Sequence, residues 1–132
     1  PIAISLCCHH RCEWKVYCGK RFMRQHGIGP REFRVLCRMT RFVRSFVCLF
    51  ARSRLVAERS LRLRYEYSRV ASEAIGTEEY RLARACKQFL DLGRVVWLRE
   101  QGYEVDTVEY VHETVSRENR IFLAVPPVDD VA

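Results

Sequence analysis

The feature that most constrains this fold is a short apolar stretch followed without a break by a run of reactive side chains. Residues 2–6 have the sequence Ile-Ala-Ile-Ser-Leu, and residues 7–12 then place three thiols, two imidazoles and a guanidinium in six consecutive positions. The apolar stretch predicts a buried strand. Because open α/β sheets bind their ligands at the carboxyl ends of strands, residues 7–20 are predicted to form an active-site loop.

The basic residues are concentrated in the first half of the chain. Residues 1–70 hold 16 Lys and Arg against 4 Asp and Glu, a balance of +12, whereas residues 71–132 hold 7 against 12, a balance of −5. A half this basic predicts a polyanionic partner, with nucleic acid ahead of an anionic membrane surface. A solvated charged face is the alternative.

Length and cysteine content limit the class of protein. The 132 residues are enough for one domain with an ordinary core, and no signal peptide or long apolar run predicts secretion or a membrane span. The seven cysteines are odd in number and clustered early, which predicts reduced thiols in an intracellular protein of the nucleus or cytoplasm. Because a core-like strand follows Pro1 at once, we expect the chain to be part of a longer protein.

Helices are predicted in the middle of the chain. Residues 13–22 predict a short helix, which ends at the Gly- and Pro-containing stretch 26–30. Apolar residues recur every three or four positions over 30–50 and predict an amphipathic helix, and residues 52–69 are also predicted to be helical. Four arginines recur at the same spacing on another face of the first of these helices: Arg31, Arg34, Arg38 and Arg41. This ladder either follows a phosphate backbone or forms a solubilising face.

The last third of the chain predicts one long helix and two strands. The helix is predicted over residues 77–101, with Thr77 as its N-cap and an interruption at Gly93. Strands are predicted at 103–111 and 120–125. The order strand, loop, helices, strand, strand predicts the C-terminal part of a doubly wound α/β domain whose final two strands are antiparallel.

The reactive run also carries a family resemblance. Residues 6–14, Leu-Cys-Cys-His-His-Arg-Cys-Glu-Trp, followed by Tyr17 and Gly19, resemble the signature of the Trm13 family of eukaryotic tRNA methyltransferases. Further segments fall in the order that this family shows: residues 32–33, 36–39, 87, 91–94, 98, 102–103, 110–111 and 116–119. The resemblance covers residues 2–42 and 73–125.

The resemblance implies a domain organisation. Residues 1–127 are similar to the C-terminal part of a Rossmann-like methyltransferase domain, and residues 128–132 form a loose acidic tail. The stretch 44–72 departs from the family pattern as a divergent or inserted helical segment. The family's N-terminal zinc fingers and the early strands of its methyltransferase domain have no counterpart in this sequence.

The resemblance also implies an activity. Trm13 enzymes transfer a methyl group from S-adenosylmethionine to the ribose 2′-hydroxyl of nucleotide 4 in the tRNA acceptor stem, so tRNA is the implied partner and no membrane is implied. The family's zinc and its cofactor-binding loops belong to the regions without a counterpart here, so no residue of this chain is predicted to contact S-adenosylmethionine. We therefore expect this chain on its own to be inactive and poorly stable.

Within this resemblance, the reactive run contains the catalytic candidates. Methyl transfer to a hydroxyl requires a group that accepts the hydroxyl proton, and an imidazole is the usual base near neutral pH. His10 is the first candidate and His9 the second, because neighbours on an extended loop point to opposite sides. Arg11 is the third candidate for contact with the reacting ribose.

Basic and aromatic residues near the run are candidates for RNA binding. The cations would bind phosphates, and the rings would stack on a base or sugar. The predicted RNA-binding residues are Arg11, Lys15, Lys20, Arg21, Trp14, Tyr17, Arg34 and Arg38. For Trp14 and Tyr17, packing in the core is the alternative.

Three other hypotheses compete for these residues. The first is a zinc-binding nucleic-acid module, although the spacing lacks the second ligand pair of a closed zinc site and no metal ligand is predicted. Its ligand types are Cys7, Cys8, His9, His10 and Cys12. The second is a thiol enzyme with Cys7 or Cys12 as nucleophile, for which nothing supplies an orienting acid. The third is a non-catalytic, basic RNA-binding module.

Overall fold

The regular elements of the protein follow the predicted order. The computed structural model describes residues 1–41, 76–116 and 118–127. The elements are β1 (Ile2–Ser5), a 3₁₀ turn (His9–Arg11), α1 (Lys20–Gln25), α2 (Pro30–Met39), α3 (Glu78–Glu100), β2 (Glu104–Glu109) and β3 (Arg120–Val125). The helical predictions for 42–50 and 52–69, the divergent segment 44–72 and the loose tail lie outside the described residues. Among the described helices, none has the length and apolar character needed to cross a membrane.

The three strands form one antiparallel sheet in the order β1-β3-β2. β3 is antiparallel to both of its neighbours, so β1 and β2 run parallel to each other on either side of it. Phe122 at the middle of β3 lies opposite Ile4 on one side and Thr107 on the other. The sequence predicted that the last two strands are antiparallel, and the pairing of β2 with β3 confirms this. The described fold is of the α/β type.

The prediction that β1 is buried is wrong for the described part of the chain. All four of its residues are exposed, and Ile2 and Ile4 keep 38% and 41% of their surface accessible. The cause is its position at the edge of the sheet, where it pairs with β3 alone. The helix α3 packs instead over β2 and β3, where Val95 joins a buried cluster with Val105 and Phe122.

The helix α3 connects the sheet to the N-terminal helices. Thr77 caps it as predicted, because its hydroxyl accepts a hydrogen bond of 3.2 Å from the Tyr80 amide. Leu90, which is 0% exposed, packs toward α1 and α2, whereas Val95 packs on the sheet. The buried cluster between α3 and the N-terminal helices consists of Tyr17, Phe22, Met23, Phe33, Cys37 and Leu90. One helix therefore sets the position of the N-terminal region relative to the strands.

Gly93 allows two backbone segments to approach closely. The predicted interruption of the helix at this residue is wrong, since Glu78–Glu100 is continuous. A Cβ at Gly93 would lie 2.3 Å from the Tyr17 hydroxyl oxygen, and a Cβ at Gly19 would lie 2.4 Å from the Gly93 carbonyl oxygen. This approach also explains why the predicted helix over 13–22 is not formed: the backbone at Gly19 lies against α3, and α1 begins only after it.

Candidate active site and basic groove

The reactive run forms a tight turn instead of the expected extended loop. Cys8 has a left-handed backbone conformation with φ 57°. The turn His9–Arg11 follows, and the Cys12 amide donates a hydrogen bond of 3.1 Å to the His9 carbonyl. A positive φ is uncommon for a residue that has a Cβ, and such conformations are often found at functional sites. The two imidazoles still have different surroundings, because His9 is buried while His10 lines a groove at the surface.

His9 is bound to α3 from the inside of the turn. It is 2% exposed, and its Nε2 donates a hydrogen bond of 2.7 Å to Asp91 Oδ1. Its Nδ1 lies 3.8 Å from Glu118 Oε2, and Glu118 in turn pairs with Lys87. These four residues line a small cleft with a cavity volume of about 20 Å³, room for a water-sized molecule. The structure thus places His9, the second candidate base, where its ring is enclosed by protein.

Arg94 links the carboxylate of Asp91 to Cys12, at the other end of the turn. Its Nη1 donates a hydrogen bond of 2.7 Å to Asp91 Oδ1, and its Nη2 donates one of 2.9 Å to Cys12 Sγ. The guanidinium carbon lies 5.6 Å from the centroid of the Tyr17 ring. The helix α3 therefore holds the turn at both ends, at His9 through Asp91 and at Cys12 through Arg94.

The contacts of Cys12 with Cys37 and Arg94 lower the pKa of its thiol. A hydrogen bond with Cys37 and the charge of Arg94 lower the pKa of Cys12 from 9.0 to about 6, although burial opposes the shift. The hydrogen bond with Cys12, together with burial, raises the pKa of Cys37 above its ordinary value. Burial alone would lower the pKa of Arg94, but the neighbouring Cys12 and Asp91 raise it. The lowered pKa favours the thiolate form of Cys12, which the guanidinium of Arg94 contacts.

A groove with a positive lining lies between the outside of the turn and α2. Its basic residues are Arg11, Lys15, Arg34, Arg38 and Arg41. Glu13 is the only carboxylate among the described residues that line it, and His10 and Trp14 complete its wall near the turn. Five cations against one carboxylate favour a polyanion such as an RNA backbone.

The two aromatic candidates have different positions. Trp14 is half-buried and lines the groove, with its ring packed edge-on against Phe33 at a centroid distance of 5.3 Å and with Arg24 5.8 Å from its ring centroid. Tyr17 is 5% exposed, and its hydroxyl donates a hydrogen bond of 2.6 Å to the Leu90 carbonyl. Burial raises the pKa of Tyr17 above its ordinary value. For Tyr17 the structure thus favours the packing alternative over stacking on RNA.

The predicted phosphate-binding residues separate into two groups. Four of them line the groove: Arg11, Lys15, Arg34 and Arg38. Lys20 and Arg21 are not among its lining residues, because Lys20 Nζ donates a hydrogen bond of 2.6 Å to the Lys15 carbonyl and Arg21 extends toward Glu100, 3.5 Å away. Arg41, the last member of the arginine ladder, joins the first group.

The sequence patterns give no role to Asp91 and Arg94, which make the central contacts of the site. One signal was present in the sequence. Asp91 directly follows Leu90 on the predicted buried side of an apolar helix, and a carboxylate in such a position requires a buried partner. The identity of that partner depends on the fold, since His9 and Asp91 are separated by 82 positions.

The described residues do not form a metal or cofactor site. No group of three or more His, Cys, Asp or Glu side chains in this part of the chain is placed to hold a metal ion. The cleft beside His9 has a cavity volume of about 20 Å³, whereas small-molecule pockets usually have volumes of about 300 Å³ or more. The groove is larger, with a volume of about 1010 Å³, but its five cations disfavour the sulfonium of S-adenosylmethionine. The residues described here therefore do not fit that cofactor.

Comparisons with known proteins identify the family. A family model described as Methyltransferase TRM13 matches residues 1–125. A human relative, named tRNA:m(4)X modification enzyme TRM13 homolog, is 29% identical over 145 residues, which cover 95% of this chain and 30% of the relative. The mouse relative of the same name is 30% identical, with 95% of this chain and 29% of the relative covered.

A fungal relative gives the same result. The Schizosaccharomyces pombe protein named tRNA:m(4)X modification enzyme TRM13 is 28% identical over 93% of this chain and 32% of its own length. This chain thus spans about 30% of the length of the human relative. No solved structure matches the chain. The chain belongs to the TRM13 methyltransferase family, as the resemblance of its reactive run predicted.

Proposed function

We propose that this chain is the C-terminal part of an S-adenosylmethionine-dependent tRNA methyltransferase that modifies the ribose 2′-hydroxyl of nucleotide 4 in the acceptor stem. The observation that carries the proposal is that His10 and Arg11 line the same cation-rich groove in a member of the TRM13 family. The names of the relatives describe tRNA modification, which supports tRNA as the partner. The donor of the methyl group is bound by the part of the protein outside this chain.

The polarity of the sheet supports a Rossmann-like domain. β1 and β2 are parallel, and β3 lies antiparallel between them. Further parallel strands added at the open edge of β1 would continue a doubly wound sheet, which commonly combines a parallel body with one antiparallel strand. They would also cover Ile2 and Ile4, which are exposed in the described chain. In this arrangement the reactive turn lies at the carboxyl end of β1, where such sheets bind ligands.

The groove and the turn have separate tasks in this proposal. The basic side chains of the groove bind phosphates of the acceptor stem and orient the ribose. His10, at the edge of the groove, accepts the proton that the 2′-hydroxyl releases. Arg11 is exposed beside it and binds a phosphate next to the reacting nucleotide.

The test is a methyl-transfer assay with the complete gene product and unmodified tRNA. With labelled S-adenosylmethionine, we expect one methyl group per tRNA, located at the ribose of nucleotide 4. A tRNA with a 2′-deoxyribose at that nucleotide is the matched control and should accept no label. Label on a base, or at another nucleotide, would contradict the proposed site of methylation.

The second candidate is a non-catalytic RNA-binding module. It is favoured by one observation: the groove has five cations and one carboxylate in its lining, which suits RNA binding whether or not a methyl group is transferred. The same assay separates the two functions when it is combined with a binding measurement. A gene product that binds tRNA at physiological salt and transfers no methyl group would support the module and refute the enzyme.

A further inference from the structure

We propose that Asp91 and Arg94 are positioning residues, which fix the turn at 9–12 from behind so that His10 and Arg11 face the groove. The catalytic consequence of this inference rests on the proposed function. The role of Asp91 and Arg94 in fixing the turn does not depend on that function, because the contacts between α3 and the turn exist whatever the groove binds. Both parts are therefore tested separately below.

The turn is held by α3 at two points, His9 and Cys12. Asp91 Oδ1 accepts hydrogen bonds of 2.7 Å from both His9 Nε2 and Arg94 Nη1. Arg94 Nη2 donates a third bond, of 2.9 Å, to Cys12 Sγ. His10 and Arg11 lie between these points, and both line the groove. Arg11 is also exposed to solvent. Since three consecutive peptide units leave few conformations once both ends are fixed, these contacts set the direction of the residues between them.

The residues behind the turn are themselves closely packed. Gly93, between the two positioning residues, lies against Gly19 so closely that neither position has room for a Cβ. The Tyr17 hydroxyl bonds to the Leu90 carbonyl at 2.6 Å, and the Tyr17 ring lies beside the guanidinium of Arg94. Asp91 is 7% exposed. Hydrogen bonds of this kind, to groups that cannot shift, orient a side chain more precisely than contacts from a mobile loop.

The chemistry of Arg94 is specific. Its planar guanidinium reaches a carboxylate oxygen and a sulfur at the same time through two different nitrogens. Lysine retains the charge but has one nitrogen on a flexible stem, so it is a poor replacement at a site with two partners. An Arg94→Lys variant should therefore keep the charge of the site and lose the connection between the two ends of the turn.

The catalytic test compares two Arg-to-Lys variants of the complete gene product. Arg94→Lys removes the link to the turn, and Arg99→Lys is the matched control on the same helix, where Nη2 bonds to the Val105 carbonyl at 2.9 Å. We expect Arg94→Lys to lower kcat for methyl transfer about tenfold or more with the Kd for tRNA changed less than twofold, which is the pattern of lost positioning. We expect Arg99→Lys to change neither. Equal effects of the two variants, or a Kd that rises in parallel with the fall in kcat, would overturn the inference.

The geometric test does not require activity. The rate of alkylation of Cys12 by iodoacetamide, followed by mass spectrometry of the peptide as a function of pH, reports the contact between Arg94 and the thiolate. We expect the apparent pKa of this profile to rise in Arg94→Lys and to stay constant in Arg99→Lys, and the imidazole NMR signals of His10 to shift in the first variant only. If the wild-type protein transfers no methyl group, the proposed function fails and these two measurements still decide the inference. Unchanged alkylation and unchanged His10 signals in Arg94→Lys would refute it.

Discussion

His9 and His10 are adjacent and chemically identical, yet the fold gives them opposite surroundings. His9 is 2% exposed and bound to Asp91, whereas His10 lines a groove rich in cations. The 3₁₀ turn produces this difference, because it directs one ring to α3 and the next toward α2. The buried imidazole can therefore support the one at the groove, because His9 holds the backbone that presents His10.

The largest expected effect is on stability and concerns the buried side of this pair. His9→Leu removes a hydrogen-bond donor from the buried carboxylate of Asp91, and the loss of a buried hydrogen bond to a carboxylate costs about 3 kcal/mol of unfolding free energy. Urea unfolding of the complete gene product measures the change for the domain that contains this chain. His10→Ala is the control and should cost less than about 1 kcal/mol, since it removes a ring at the groove surface. Equal destabilisation by the two substitutions would contradict the conclusion that His9 supports the fold and His10 does not.

For activity, we expect the substitution of His10 to have a larger effect than that of His9. His10→Ala removes the proposed base, and general-base catalysis contributes about 100-fold or more to the rate. Single-turnover methyl transfer measures the loss, while the Kd for tRNA should change less than twofold. His10→Gln retains hydrogen bonding without a base of suitable pKa and should be equally slow. A His10→Ala enzyme with nearly full activity would show that another group accepts the proton.

Gly93 offers a way to disturb the contact behind the turn without changing any charge. In Gly93→Ala the new Cβ would meet the Tyr17 hydroxyl at 2.3 Å. Overpacking of this kind costs about 2 kcal/mol, which urea unfolding would reveal. Leu92→Ala is the control on the same helix, because Leu92 is 46% exposed. If Gly93→Ala is as stable as this control, the close approach of the two backbones is not required for the fold.

The elements that the sequence predicts correctly are those with strong local signals. β3 is found at Arg120–Val125, the range of the predicted apolar run, and α3 begins directly after its predicted cap at Thr77. A cap or a periodic pattern depends on neighbours within one or two turns, so it can be recognised without the rest of the fold. The family resemblance was also read from the order of residues alone, because it rested on the reactive run and on short segments that follow it in the family's order.

The features that the sequence does not predict depend on distant partners. Gly93 looks like a helix breaker until Gly19 and Tyr17 are placed against it. The pair of His9 and Asp91 joins positions at opposite ends of the domain, so neither residue identifies the other. The different surroundings of the two histidines likewise depend on the backbone of the turn, since an extended chain and a 3₁₀ turn direct neighbouring side chains differently.

A smaller effect is expected when the charge of the groove is reduced. Arg34→Gln and Arg38→Gln each remove one cation that lines it. Each lost phosphate contact should weaken tRNA binding and reduce the slope of log K against log salt by about 1. Arg81→Gln is the control, because Arg81 is exposed on α3 and does not line the groove. A salt slope that changes equally in all three variants would indicate general attraction by the protein instead of binding in the groove.

The last expected effect is a pH dependence of stability at Cys12, whose size is reduced by solvent screening because this side chain is only half-buried. Its pKa is about 6 in the folded protein and 9.0 ordinarily, so between these values the unfolded state binds one more proton at this sulfur than the folded state. Stability should therefore rise with pH across this window, with the contribution complete above pH 9 and lost as the pH falls through 6. Urea unfolding at several pH values should show this slope in the wild type and a flatter one in Cys12→Ser. The raised pKa values of Cys37 and Cys86 act only above the ordinary thiol value of 9.0, outside the window. If Cys12→Ser retains the full slope, the thiolate is not paired with Arg94 in the folded protein, and the turn is held at His9 alone.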